Sequence, residues 1–420
     1  MLKTSLGLFL LLFSFTAQAA DFDIYQSDYK PLQLALLMDV EAEDKAAGNE
    51  LYLIVKSDLE SSRSFGTLDP LSFLATAAAV QTKVEYADWR IIGAEILALC
   101  RLSKSGEGWK AQIQVHDPYR DKLLSITQLN SPSTSLRPLA HLIANYVYET
   151  VTGIVGHFNS QILYVRKHGD LADLIYMDQD GANQQAVGRD FTLLLSPDWS
   201  PDGHNVALNT YVGNRPRLEI FDLSTGKRTV FGKFKGLNST PEFSPDGRFI
   251  AATLSHTGNI ELHIYDITKR RWRQATYHPA IDTTPTWSPD SKWLAFTSSR
   301  GGTPQIYRLR LADGQLKKVS LAGAYNTSPA WSPRGDRIAF ITLKGWEYAL
   351  ATVRMDGSDI RYLATGGRIE SPSWSPNAQM ILFSREVNGI RKIFRIPSWG
   401  GDMEAITAAN EDASDPAWSP

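Results

Sequence analysis

Trp287-Ser288-Pro289-Asp290-Ser291-Lys292-Trp293-Leu294-Ala295-Phe296 carries the pattern that decides the fold. An aromatic-Ser-Pro triplet runs through a turn into a short apolar stretch. The triplet recurs at Trp199-Ser200-Pro201, Phe243-Ser244-Pro245, Trp331-Ser332-Pro333, Trp374-Ser375-Pro376 and Trp418-Ser419-Pro420, at a spacing of 43 or 44 residues. Ser-Pro-Asp-Gly is type I turn chemistry, with Pro preset at the second position and Gly last. A β-type run follows each of the first five motifs, as in Val206-Ala207-Leu208, Phe249-Ile250-Ala251 and Arg337-Ile338-Ala339-Phe340. A second run comes about ten residues later, as in Leu218-Glu219-Ile220-Phe221 and Gln305-Ile306-Tyr307, and turns such as Ala312-Asp313-Gly314 close it. Four short strands in a repeat of this length define propeller blades. Six motifs predict an all-β six-bladed β-propeller, with each aromatic packed between neighbouring blades.

The pattern also predicts how the ring closes. No strands follow the sixth motif, and matching ones stand ahead of the first: Gln161-Ile162-Leu163-Tyr164-Val165, then Leu174-Ile175-Tyr176-Met177 with the turn Asp180-Gly181. The closing blade is expected to be composite, three strands from the start of the array and one from its end. Such pairing removes the open edges that attract foreign strands. The propeller is placed at residues 158–420.

Residues 20–157 lack the repeat and read as a mixed α/β N-terminal domain. Leu32 to Leu37 is a strand candidate, and Asn49 to Leu59 has helical spacing. Ile96 to Leu102 and Ala111 to Val115 suggest a hairpin, and Ser135 to Val151 a long helix stopped by Gly153. The first 19 residues read as a signal peptide: Lys3, an apolar run from Leu6 to Phe15, then Ala17-Gln18-Ala19, with cleavage expected between Ala19 and Ala20. The mature chain is therefore expected in the periplasm, soluble and monomeric. A net charge of −2 offers no footprint for nucleic acid. With a single cysteine, Cys100, in an apolar run, no disulfide can form within the chain.

Catalytic patterns are missing from the sequence: no nucleophile elbow, no HExxH, no phosphate loop and no EF-hand loop. The repeat histidines His204, His256, His263 and His278 fall at different points of their repeats. Asp202, Asp246 and Asp290 share a turn position, but Arg334 and Asn377 replace them in later repeats, which favours turn chemistry over a metal ring. Neither a cofactor nor a metal is expected. Two functional classes stay open, a binding module and a periplasmic propeller hydrolase or lyase; acidic or imidazole groups ringing the channel would favour the second.

The repeat alone is shared with prolyl-oligopeptidase-type peptidases and some polysaccharide lyases. The N-terminal domain is more specific. Asp58-Leu59, Ser62, Phe65 and Leu68-Asp69, then Trp89-Arg90-Ile91-Ile92-Gly93-Ala94-Glu95, and above all Glu149-Thr150-Val151-Thr152-Gly153-Ile154-Val155-Gly156-His157-Phe158 resemble the TolB family of the Tol-Pal envelope system in order and spacing. That resemblance implies a non-enzymatic interaction protein linking the inner-membrane protein TolA to the peptidoglycan-associated lipoprotein Pal during outer-membrane constriction at division. Other outer-membrane lipoproteins are further candidate partners. It also implies sites. TolA contact falls on Asp21, Phe22, Asp23, Ile24, Tyr25, Gln26 and Ser27, a stretch more polar than the family's usual box. Pal contact falls on loops before the aromatic motifs: Leu237, Asn238, Ser239 and Thr240; Asp282, Thr283 and Thr284; Asn326, Thr327 and Ser328; Glu370 and Ser371.

Overall fold

The computed structural model describes residues 30–420. The signal segment, the cleavage point at Ala19 and Ala20, and the stretch from Asp21 to Ser27 lie outside the described residues.

The chain enters through β1 (Leu32–Val40), whose apolar run Leu34–Leu37 is buried. Strands buried on both faces read in this way, without alternation. α1 (Lys45–Ser61) follows, then the short β2 (Phe65–Thr67), α2 (Ala77–Thr82) and α3 (Tyr86–Ile91). β3 (Ile96–Ser105), β4 (Gly108–Asp117) and β5 (Lys122–Ser131) form a meander. α4 (Arg137–Thr152) then ends at Gly153, whose left-handed φ of 71° donates its N–H to Glu149 O. The sheet order is β2-β1-β3-β4-β5, with β1 parallel to both neighbours. α1 and α4 bury one sheet face through Leu51, Val55, Leu59, Leu139, Ile143 and Val147. Val80 of α2 and Trp89 of α3 cover part of the other face. The expected elements are present; the strands and α1 run longer than the sequence suggested, and α4 is shifted slightly, starting two residues later and ending one later. β5 is an addition: its apolar residues are only half covered, so it lacks a strong strand signature.

Six four-stranded sheets follow. Blades I to V start from the inner strands Leu194–Trp199, Asn238–Phe243, Asp282–Trp287, Asn326–Trp331 and Ile369–Trp374. Blade VI is composite: Asp412–Trp418 pairs antiparallel with β6 (Gln161–His168), which continues into β7 (Leu171–Asp178) and β8 (Gln185–Phe191). The inner strands touch one another around the whole ring, the sixth meeting the first. In blades I to V the aromatic-Ser-Pro motif turns the first strand into the second, with Gly203 N donating to Ser200 O at 2.9 Å and Gly247 N to Ser244 O at 2.8 Å. The aromatics lie between blades. The indole N–H of Trp199 donates to Ala417 O, that of Trp287 to Glu242 O and that of Trp374 to Ala330 O, at 2.9–3.0 Å.

The α/β domain docks on the turn side of blades V and VI. Arg137 pairs with Asp178 at 3.0 Å and with Asp180. Buried Asp58 accepts from Gln179 Nε2 at 3.0 Å and is 2.7 Å from His141 Nδ1, and Arg395 of blade V donates to Gln179 Oε1 at 2.8 Å. Burial, partly offset by His141, holds the Asp58 carboxyl above its usual range. His157, in the linker, bonds Asn377 of the blade V turn and lies edge-on to Trp418. Desolvation, with Arg395 nearby, pushes its imidazole down to about 3, so it stays neutral. The opposite side of the propeller stays uncovered by the α/β domain.

Candidate functional site

Each inner strand carries one pattern: two residues, then a Ser, Thr or Asp, then Pro, then one residue and the aromatic. The residue before proline is disfavoured in the right-handed helical region. Here it takes the left-handed one in all six blades: Ser196 (φ 47°), Thr240 (46°), Thr284 (49°), Ser328 (51°), Ser371 (54°) and Asp415 (52°). The register against the second strand shifts at each of these points, so every inner strand has a bulge near its start. Left-handed backbone costs a non-glycine residue about 1–2 kcal/mol. Strain of this kind persists only where its surroundings fix it, and it gathers at functional sites.

What fixes it is a blade-to-blade hydroxyl network. Thr253 Oγ1 lies 2.8 Å from Thr240 Oγ1 and accepts Thr284 N at 3.2 Å. Thr297 Oγ1 does the same for Thr284 Oγ1 (2.7 Å) and Ser328 N (3.1 Å). Asp415 Oδ1 takes Ser196 N at 3.3 Å and Ser371 Oγ at 3.4 Å, closing the arc across blade VI. The result is a collar of small polar groups, bonded across four of the six blade junctions, at the mouth where the inner strands begin. Connections between blades and the hairpins joining second to third strands flank that mouth, as Ile281 O accepting Ser299 N and Tyr348 O accepting Gly366 N show.

The sequence-derived residues separate into two sets. Ser239, Thr283, Thr327 and Glu370 are half-buried at the mouth, and Thr240, Thr284, Ser328 and Ser371 form four of the six bulges. They belong to the inner strands rather than to loops, because pairing with the second strand extends past the bulge; only Leu237 sits in a connection. Asn238, Asp282 and Asn326 are buried, and each holds at least one hydrogen bond, with Oδ1 of Asp282 and of Asn326 left without a partner. Asn238 braces the preceding loop at Phe234 and Gly236, Asp282 takes Arg300 at 2.6 Å, and Asn326 donates to Gln305 Oε1 and Ala322 O. Their geometry supports the collar from beneath and leaves little side-chain surface to offer a ligand. Ser196 and Asp415 complete the ring and were missed; Ser-Pro and Asp-Pro three residues before the aromatics of blades I and VI are the signal.

Further down the channel, the residue before each aromatic is Asp198, Glu242, Thr286, Ala330, Ser373 or Ala417. Asp198 Oδ2 accepts Phe243 N at 2.7 Å; Glu242 Oε1 accepts Trp287 N and Thr286 Oγ1, both at 2.8 Å. These carboxyls cap the neighbouring strand. Burial pushes Asp198 up to about 7; burial, then the Asp198 charge, holds Glu242 well above the carboxylate range. Two acids among six equivalent positions do not make a ring, and none of the six is an imidazole. Among the described residues, one grouping has metal-ligand character: His168, Asp173 and Asp190 at the edge of blade VI. Asp173 there already accepts from Arg166 at 3.2 Å and from Asp190 N at 3.1 Å, so a cation would displace a guanidinium.

A closed propeller with a strained polar mouth, fused to an α/β domain that leaves the mouth uncovered, defines a two-domain propeller protein with one propeller face free of that domain. The description "TolB beta propeller domain" matches residues 148–420 and "TolB amino-terminal domain" residues 21–124. The chain belongs to the TolB family. It is 34% identical over 222 residues to the Tol-Pal system protein TolB of Paramagnetospirillum magneticum, a match covering 51% of this chain and 50% of that one. Its identity to the protein of the same name from Chromobacterium violaceum is 33% over 198 residues, covering 47% and 46%. The chain thus spans about half the length of the curated relatives it matches. The crystal structure of TolB from Acinetobacter baumannii superposes with a TM-score of 0.86 at 29% identity, covering 93% of this chain and 97% of that one.

Proposed function

We propose that this chain is a non-enzymatic, periplasmic component of the Tol-Pal system. The mouth side of its propeller holds Pal, and the segment Asp21–Ser27 engages the periplasmic domain of TolA. Through these contacts it supports outer-membrane constriction during division and envelope integrity. One observation carries the reading: six strained residues, five of them bonded to a neighbouring blade, ring the propeller side that the α/β domain leaves open. A preformed collar suits a protein ligand, since a stable contact buries on the order of 1,200–2,000 Å² and a rigid surface loses little entropy on binding.

The test is titration of the mature protein with the soluble domains of Pal and TolA. Thr283→Arg should abolish Pal binding with no change in melting temperature, Thr240→Arg should abolish it with the small drop in melting temperature that loss of the Thr253 hydroxyl bond brings, and both should leave TolA binding intact. Asp246→Arg, in a turn on the opposite side, should bind Pal as the parent does. Deleting residues 20–27 should remove TolA binding alone. Loss of Pal binding on Asp246→Arg with both mouth changes silent would place the partner on the other side.

A further inference from the structure

The second-to-third-strand hairpins of the blades all open on the mouth side. In blades VI, I, IV and V the tips between paired strand ends are two residues long: Gly169-Asp170, Gly213-Asn214, Gly345-Trp346 and Asn388-Gly389. Tight hairpins want glycine and small polar residues at such tips. Trp346 occupies the place where Asp170 and Asn214 stand in their blades, and it is 100% exposed. Neither turn chemistry nor packing calls for an indole there.

Its surroundings continue the theme. Tyr348, on the same hairpin, is exposed and meets Tyr325 edge-on at 6.3 Å between ring centroids. Tyr325 immediately precedes Asn326, the first residue of the blade IV inner strand. Lys344 lies over the exposed ring of Tyr362 at 5.1 Å. The aromatics of this side thus form a discontinuous track: Tyr325, three residues ahead of Ser328 in the collar, meets Tyr348, and Trp346 stands alone at the hairpin tip two residues from Tyr348.

We propose that Trp346 anchors the partner docked over the channel mouth, its indole seated in an apolar cleft of that partner. This rests on the reading that the mouth side carries the protein ligand. Trp is among the residue types most enriched at the energetic centres of interfaces, and it brings large contact area for two rotatable bonds. Proximity to the collar favours a folded protein over a lipid surface, because one rigid ligand then covers both the polar ring and the aromatic track.

The experiment is titration of the full mature chain with the soluble domain of Pal. Trp346→Ala should weaken binding by about 30-fold, the size of a hot-spot loss of about 2 kcal/mol. Most of the change should appear in the dissociation rate. Trp346→Phe should recover most of the affinity, and both variants should melt with the parent. Trp346→Ala binding within twofold of the parent, while Thr283→Arg abolishes binding, would overturn the anchor and spare the mouth-side reading. If both variants bind normally, the anchor falls with that reading. If Trp346→Ala keeps Pal affinity but loses sedimentation with anionic phosphatidylglycerol vesicles, the indole is a lipid contact and the proposal is wrong.

Discussion

Replacing Trp418 with alanine should loosen the ring at its seam. Trp418 is 6% exposed, its indole N–H donates to Ser160 Oγ at 2.7 Å, and its backbone N–H donates to Ser373 Oγ at 2.9 Å. Truncating a buried Trp or Phe to Ala costs about 3–5 kcal/mol, and the hydrogen bond lost at Ser160 adds about 1 kcal/mol. At about 2.1 cal/mol/K per residue, a propeller of about 260 residues has a melting entropy near 0.55 kcal/mol/K, so a loss of about 4.5 kcal/mol lowers the Tm by about 8 °C. Differential scanning calorimetry of the mature protein would read this directly. The same truncation at exposed Trp346 is the internal control, with a shift below about 1 °C. A Trp418→Ala protein that melts within about 2 °C of the parent would refute the claim that this side chain locks the composite blade.

Asp198 and Glu242 should make stability fall as pH rises. A carboxyl whose folded pKa lies above its unfolded value gives full stability below the unfolded value, near 3.9, and that stability is lost as pH climbs through the folded one, about 7 for Asp198. Asp198→Asn should therefore gain on the parent between pH 5 and pH 8, by at most about 2.7 kcal/mol for the two pKa units of the shift that lie in that window; urea midpoints that differ equally at both pH values would show that the pair does not titrate there. The collar strain can be weighed at Thr284, where φ is 49°. Thr284→Gly relieves the left-handed backbone whereas Thr284→Ala keeps it, and both lose the hydroxyl bond to Thr297, so the Gly variant should be the more stable by about 1 kcal/mol; equal stabilities would mean the bulge is unstrained.

The architecture was legible because each blade repeats the same local problem, an inner strand ending on an aromatic followed by a proline turn. Even the composite blade showed, since β6 and β7 keep the blade pattern without a preceding motif of their own. The site was legible only in part. Thr240 and Thr284 stood out by position, but pairing on both sides of a bulge extends the inner strand over residues that read as loop. The burial of Asn238 and Asp282 comes from neighbours distant in sequence: Asn209 for the backbone of the first, Arg300 for the second. Docking of the α/β domain depends on Arg137, Asp58, Gln179 and Arg395, single polar residues from four separate elements. Nothing periodic marks them.

The seam between Trp418 and the start of the propeller also sets an order of assembly. Ser419 Oγ accepts the backbone N–H of Gln161 across 258 residues of chain. Closing so long a loop costs about 5 kcal/mol of chain entropy before any contact repays it. The α/β domain and β6 to β8 emerge early, and five blades must follow before the partner strand of β6 exists. Until then β6 presents a naked edge, the kind of surface that recruits foreign strands. The ring is thus expected to snap shut late and cooperatively. Variants that weaken the final strand should show their defect first as aggregation during folding and only afterwards as a lower melting temperature.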